Sequence, residues 1–373
     1  MRTHRRPTFA LSFLVLATLF GMLLAACGTS TTSSTGSTST SGCKSSTNAS
    51  STANNAPINE PVSFSSQDHK TGGAAKALQN VSIGLGYIPD IQFAPFYVAK
   101  SKGYYTAAGL NVTLNHGIVN DLLGSLALGH DTFAFASGDE LLVARSKNLP
   151  LIDVSTIFQK YPVSLIVPAN SSICTLADLK GHTIGEPGPF GATYVGLLAL
   201  LYHAHLSLSD IHAQSIGFTQ VAALVGHKVD GVMGYSNNEP LQLNKRGFPV
   251  RTFNVSDYQP LISNGIITTE NTWKNQPQLV RSFVQATIQG LQEVIANPAE
   301  AVQISKSYVP GMNTTTAMAV LQATIPIWKG GGQNPLGYND SATWQSMQQF
   351  LVAQKIIPST QDLSQAYTNV SAA

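Results

Sequence analysis

The chain has 373 residues, of which 43 % are hydrophobic and only 11 % charged, against about 25 % charged in ordinary domains. That length allows two or three domains with sizeable cores and a surface rich in Ser, Thr, Asn, Gln and Gly. The net charge is +2, and without Arg2, Arg5 and Arg6 there are 18 basic residues against 19 acidic ones; this balance argues against nucleic acid as a partner, whose binding requires a basic patch.

Arg2, Arg5 and Arg6 precede an uncharged, mostly apolar run over 9–26 that ends in Leu24, Ala25 and Ala26. Positive, greasy, then small is the pattern of a secretory signal, expected over 1–26. Cys27 follows directly, and the four residues 24–27 resemble a bacterial lipobox, which implies a diacylated Cys27 at the mature N-terminus. Each buried CH₂ of such a chain contributes about 0.8 kcal/mol, so two or three chains anchor stably. A plain transmembrane anchor is the alternative, since 18 residues is near the lower limit for a span. Over 29–52, Ser and Thr make up 18 of 24 residues, and no core can form there. A tether is expected over 27–79, with Cys43 an incidental thiol. Cys27, Cys43 and Cys174 form no CxxC pair, which excludes a disulfide framework and a zinc ribbon.

From 81 onward strand and helix signals alternate. Strands are expected at 81–87, 111–114, 132–136, 151–158 and 163–167, with helices at 94–102, 122–128 and 140–146. A second series has a short helix at 175–180, strands at 182–185, 213–217, 231–235, 250–255 and 262–268, and helices at 192–203, 221–227 and 241–246. The alternation predicts βα units and a mostly parallel α/β architecture. After 268 the strands stop, and 277–296, 299–308, 314–328 and 341–354 read as helices that cover an earlier domain.

Residues 85–100 (LGYIPDIQFAPFYVAK), 102–105 (KGYY) and 108–112 (AGLNV) resemble the solute-binding proteins of ATP-driven importers, in the group related to thiamine-pyrimidine synthases and to sulfonate and nitrate binders. Segments 137–140 (SGDE), 176–181 (LADLKG) and 234–240 (GYSNNEP) fit the same group. The resemblance implies a two-lobe periplasmic-binding-protein fold of type II with two hinge strands and a helical C-terminus. Lobe 1 is then discontinuous, 80–169 and 263–373, and lobe 2 is 170–262, with crossings near 168–172 and 259–264.

Ligands of open α/β sheets bind beyond the carboxyl ends of strands, and four loops qualify. In the first, Asp90, Gln92, Phe93, Phe96 and Tyr97 combine ring faces with polar groups that read the edge of a flat heterocycle, although Phe93 and Phe96 also suit a helix's core face. In the second, Ser137 or Asp139 caps a helix; Asp139 and Glu140, being adjacent, should point apart. The third, with Glu186, Gly188, Gly191 and Thr193, enters an apolar helix whose N-terminus suits an anion or a carbonyl oxygen. The fourth offers Tyr235, Asn237 and Glu239, and the resemblance places it on the cleft.

The nine histidines include no HExxH, and no GxSxG is present, so neither a metal site nor a nucleophile elbow is expected. The synthases of the group depend on a cysteine-rich motif that is missing. The resemblance therefore implies an extracytoplasmic, membrane-anchored monomer with no cofactor and no catalytic residue. Its partners are a small solute, a membrane permease and the ATPase subunits. The implied cargo is a thiamine pyrimidine precursor or a riboflavin-like ring. A synthase-like enzyme, a sulfonate or nitrate binder, and a surface sensor with the same fold are the alternatives.

Overall fold

The computed structural model describes residues 77–117 and 121–370; the expected signal, Cys27, Cys43 and nearly all of the tether lie outside the described residues. In chain order the elements begin with β1 (Gln79–Gly84), α1 (Ala94–Ser101), α2 (Tyr104–Ala107), β2 (Leu110–Asn115), α3 (Leu122–Ala127), β3 (Phe133–Ser137), α4 (Gly138–Ser146) and β4 (Leu151–Thr156). There follow β5 (Val163–Pro168), β6 (Thr183–Glu186), α5 (Gly191–His203), β7 (His212–Ser215), α6 (Gln220–Val225), β8 (Gly231–Tyr235), α7 (Glu239–Lys245) and β9 (Val250–Asn254). The chain closes with β10 (Asn264–Thr269), α8 (Glu270–Asn275), α9 (Pro277–Ala296), α10 (Pro298–Ser305), α11 (Thr314–Lys329) and α12 (Ser341–Ala353). The segment expected as a helix at 175–180 is a 3-10 turn, Leu176–Leu179.

Among the described residues the strands form two five-stranded sheets, ordered β2-β1-β3-β10-β4 and β7-β6-β8-β5-β9. The expectation of mostly parallel sheets holds, with one reversed strand in each: four of the five strands run the same way. β1 pairs parallel with β2 and β3, but β10 runs antiparallel to both β3 and β4. The second sheet repeats this: β6 is parallel to β7 and β8, whereas β5 is antiparallel to β8 and β9. The reason is topological. β5 and β10 each enter a sheet from the other lobe rather than from a βα crossover, so no right-handed crossover dictates their direction. The chain therefore passes between the sheets at 157–162, ahead of β5, rather than at 168–172. It returns between Asn254 and Asn264.

Of the C-terminal helices, α8 and α9 reach the first sheet, α9 and α10 pack on α1, and α12 packs on α4. α9 buries Leu279, Val280, Phe283, Val284, Thr287, Leu291 and Val294, a 3–4 spacing that makes one apolar stripe. Phe283 stacks on Phe133 with ring centroids 4.1 Å apart and on Tyr105 at 5.3 Å. A Cβ on Gly290 would lie 2.3 Å from the Pro95 carbonyl oxygen, so only glycine lets α9 approach α1 this closely. Cys174 is disulfide-bonded, a bridge that the cysteine spacing did not suggest.

Candidate ligand-binding cleft

The carboxyl ends of β1, β3, β6 and β8 converge on a cavity of about 630 Å³ between the two lobes, a size that suits a small organic molecule. The first lobe contributes the turn after β1, where Asp90 accepts from the Gln92 N–H at 3.1 Å and starts a 3-10 turn, Ile91–Phe93. It also contributes the first turn of α4. The second lobe contributes the N-terminus of α5 and the segment from β8 into α7.

Nine of the expected residues meet on this cavity: Asp90, Gln92 and Phe93; Asp139; Gly191 and Thr193; Tyr235, Asn237 and Glu239. Five do not line it. Phe96 and Tyr97 are core residues, because α1 is buried from Ala94 to Ala99 and packs against α9 and α10. Phe96 meets Phe135 edge-on at 5.3 Å, and Tyr97 stacks on Tyr308 at 4.5 Å with its hydroxyl 3.0 Å from His116 Nε2. Ser137 is fully buried and committed to α4: its N–H and O–H both donate to Glu140 Oε2, at 3.0 and 2.7 Å. Gly188 lies against the Phe190 ring. Glu186 is buried one residue before the lining Pro187.

The adjacent acids Asp139 and Glu140 do not diverge; both border the cavity. Glu140 turns back to cap its own helix, which keeps its carboxylate at the cleft end of α4. Asp139 is 0 % exposed. Burial, and then the Glu140 charge, push its carboxyl up to about 7. Its Oδ1 lies 3.2 Å from the Tyr161 hydroxyl, and its Oδ2 has no hydrogen-bond partner.

On the facing lobe, Glu239 Oε2 accepts from the Tyr235 N–H at 2.7 Å, and burial raises this carboxyl to about 7. A Cβ on Gly234 would lie 2.9 Å from the same oxygen, so glycine at the end of β8 makes room for the fold-back. Asn237 Nδ2 donates to Thr324 Oγ1 of α11 at 2.8 Å, which ties the lobes together, while its Oδ1 is buried without a partner. Burial also lifts Glu186 to about 7 and raises Asp90. Tyr87 is pushed up to about 12 by burial and then by the charges of Glu239 and Asp90, which face it from both lobes.

Sequence reasoning missed several lining residues: Tyr87, Tyr194 and Phe218 among the aromatics, and Lys147 among the charges. Tyr87 and Phe218 meet across the lobes, with centroids 5.7 Å apart and planes tilted by 58°. Phe218 carried a usable signal, since it follows Gly217 just past a strand end, as Tyr235 follows Gly234. Lys147 carried none, because it lies beyond α4 and reaches the cavity only through the packing. Among the described residues, no three His, Cys, Asp or Glu side chains are grouped as a metal site needs.

A family model described as NMT1/THI5 like matches residues 90–301, a span that holds nearly the whole cleft. The chain is 37 % identical over 326 residues to the riboflavin-binding protein RibY of Chloroflexus aurantiacus, covering 85 % of this chain and 93 % of that protein. It is 25 % identical to a formylaminopyrimidine-binding protein of Halalkalibacterium halodurans, covering 78 % of this chain and 90 % of that one. In structure it is similar to the periplasmic aliphatic sulphonate binding protein SsuA of Escherichia coli, with a TM-score of 0.63 over 77 % of this chain and 91 % of that chain. At 15 % identity, that likeness carries the periplasmic-binding-protein fold alone. The two-lobe fold, the matched span from Asp90 through Glu239 and the identity to RibY together make this chain a member of the NMT1/THI5-like family.

Proposed function

We propose that the cleft binds a flat, uncharged heterocycle of the riboflavin or aminopyrimidine class by closure of the two lobes. The chain is a solute-binding protein of the periplasmic-binding-protein fold. The observation that carries the ligand class is the make-up of the cavity wall. Phe93, Tyr87, Tyr194, Tyr235, Phe190 and Phe218 supply ring faces, while Asp139, Glu239 and Asn237 supply acceptors for ring or amino N–H groups. A ligand that touches both lobes favours the closed form by its differential affinity for it.

The names of the two relatives support the same class, and so does the scarcity of cationic donors a sulfonate or nitrate would need. The protein is the extracytoplasmic component of an ATP-driven importer, passing its solute to a permease without turnover. It acts as a monomer held to the membrane by lipid on Cys27. No helix among the described residues is long and apolar enough to cross a membrane.

Isothermal titration of the purified protein against riboflavin, a formylaminopyrimidine, an aliphatic sulfonate and nitrate tests the ligand. Saturation at one site by a heterocycle alone supports the reading; saturation by sulfonate or nitrate alone sinks it. For the anchor, Cys27→Ser should move the protein from the membrane to the soluble fraction. A variant that stays on the membrane removes the lipid from the account.

A further inference from the structure

We propose that the cleft selects the unphosphorylated form of its ring ligand and rejects the phosphate ester, with Asp139 as the residue that sets this choice. The inference rests on the heterocycle reading above and deepens it. Among the described residues, five carboxylates border the cavity (Asp90, Asp121, Asp139, Glu140 and Glu239) against one ammonium, Lys147, and no guanidinium. A phosphate monoester brings a charge of about −1.5 to −2 into a space where desolvation magnifies repulsion.

Two buried atoms point to the kind of group the cleft takes instead. Asp139 Oδ2 in the first lobe and Asn237 Oδ1 in the second are both without a hydrogen-bond partner, on residues 0 % and 2 % exposed that line the same cavity. Both are acceptors, and leaving a buried acceptor unpaired is costly. A ligand that brings N–H or O–H groups to each satisfies them and joins the lobes. A phosphate oxygen at neutral pH offers acceptors and meets acceptors.

One element favours an anion. The first N–H groups of α5, at Gly191, Ala192 and Thr193, border the cavity with no side-chain cap. That position is already faced by a carboxylate, since a Cβ on Gly191 would lie 3.6 Å from Glu140 Oε1. The other helix N-termini at the cleft also carry carboxylates: that of α4 is closed by Glu140 on Ser137, that of α3 by Asp121 on the Gly124 N–H, and α7 begins with Glu239.

The test is a pair of titrations of the intact protein at pH 8, above the value of about 7 to which burial raises Asp139 and Glu239, with riboflavin and with riboflavin 5′-phosphate. The same pair is run with a hydroxymethylpyrimidine and its phosphate. For whichever parent binds, the phosphate should bind about 100-fold more weakly or worse. Phosphate and parent within threefold of each other overturn the inference and leave the heterocycle reading standing. Failure of every parent overturns that reading and the inference with it. Asp139→Asn should narrow the gap about tenfold by relieving the repulsion, whereas Asn237→Leu should weaken parent and phosphate alike and keep their ratio. An unchanged gap in Asp139→Asn removes Asp139 from the selecting role. If that variant does not fold, Glu239→Gln tests whether wall charge sets the gap at all.

Discussion

The hydroxyl of Tyr161 lies 3.2 Å from Asp139 Oδ1, so a residue of the segment that crosses between the sheets touches a carboxylate on the cavity wall. The same hydroxyl donates to the Ala192 carbonyl at 2.9 Å, in the first turn of α5. One buried group thus joins the first lobe, the crossing and the second lobe. Tyr161→Phe removes it at nearly constant volume and takes the hydroxyl away from the Asp139 carboxyl and the Ala192 carbonyl, which share its one proton. The expected cost is about 1–3 kcal/mol in urea unfolding. Since the Tyr161 hydrogen bond holds the Asp139 carboxyl down, the same variant should titrate Asp139 at higher pH. An unfolding midpoint equal to wild type would show that the contact is idle.

Stability should fall as pH rises from about 4 to 7. Asp139, Asp153, Glu186 and Glu239 are all raised to about 7, chiefly by burial. A carboxyl raised in the folded state holds more protons there than when unfolded, so each group contributes a slope of at most about 1.4 kcal/mol per pH unit in that window. The carboxylates held below their usual range, such as Asp178 and Glu293, act in the opposite sense and only at lower pH. Melting of the ligand-free protein at pH 5 and at pH 8 checks the sign. A higher Tm at pH 8 contradicts it.

Asp153 isolates one of these groups away from the cleft. It is fully buried, accepts from Asn339 Nδ2 at 3.0 Å and from the Ser155 N–H at 2.8 Å, and leaves Oδ2 without a partner. Asp153→Asn keeps one acceptor oxygen for both donors and cannot titrate. It should flatten the decline in stability between pH 4 and 7 and leave ligand affinity unchanged.

Tyr87 and Phe218, both on the cavity wall, meet from opposite lobes. Phe218 is 43 % exposed, so Phe218→Ala should cost little stability. Ligand affinity should drop several-fold, the effect of losing an aromatic contact of about 0.5–1.5 kcal/mol. Calorimetric titration beside a melting curve separates the two, and unchanged affinity would place the ring outside the ligand's reach.

At the other face of the first lobe, Gly290→Ala drives a methyl into the Pro95 carbonyl oxygen and the Ala99 Cβ, at 2.3 and 2.8 Å. Overpacking of this kind costs about 1–3 kcal/mol. Because the clash lies in the α9–α1 contact, the urea midpoint should fall while the ligand dissociation constant holds.

Local chemistry made much of this protein legible in its sequence. Apolar alternation located β1, β2, β3, β6 and β8 to within a few residues, because burial on a sheet imposes its period on the chain. Glycines and polar clusters at strand ends marked the four loops of the cleft, because backbone conformation and capping are short-range. Nine of the expected residues stand together on one cavity for that reason.

Tertiary packing decided the rest. Whether an aromatic on α1 faces a ligand or a core depends on distant partners: Phe96 meets Phe135 of β3, and Tyr97 stacks on Tyr308, about 200 residues later in the chain. Membership of β5 in the second sheet depends on pairing with β8 and β9, which local propensity does not encode. The pairing of Tyr87 with Phe218, the reach of Lys147 and the meeting of Tyr161 with Asp139 all depend on how two lobes face each other. Periodicity and turn chemistry act over a few residues. The approach of distant surfaces is decided by the summed packing of both lobes, and no single segment carries it.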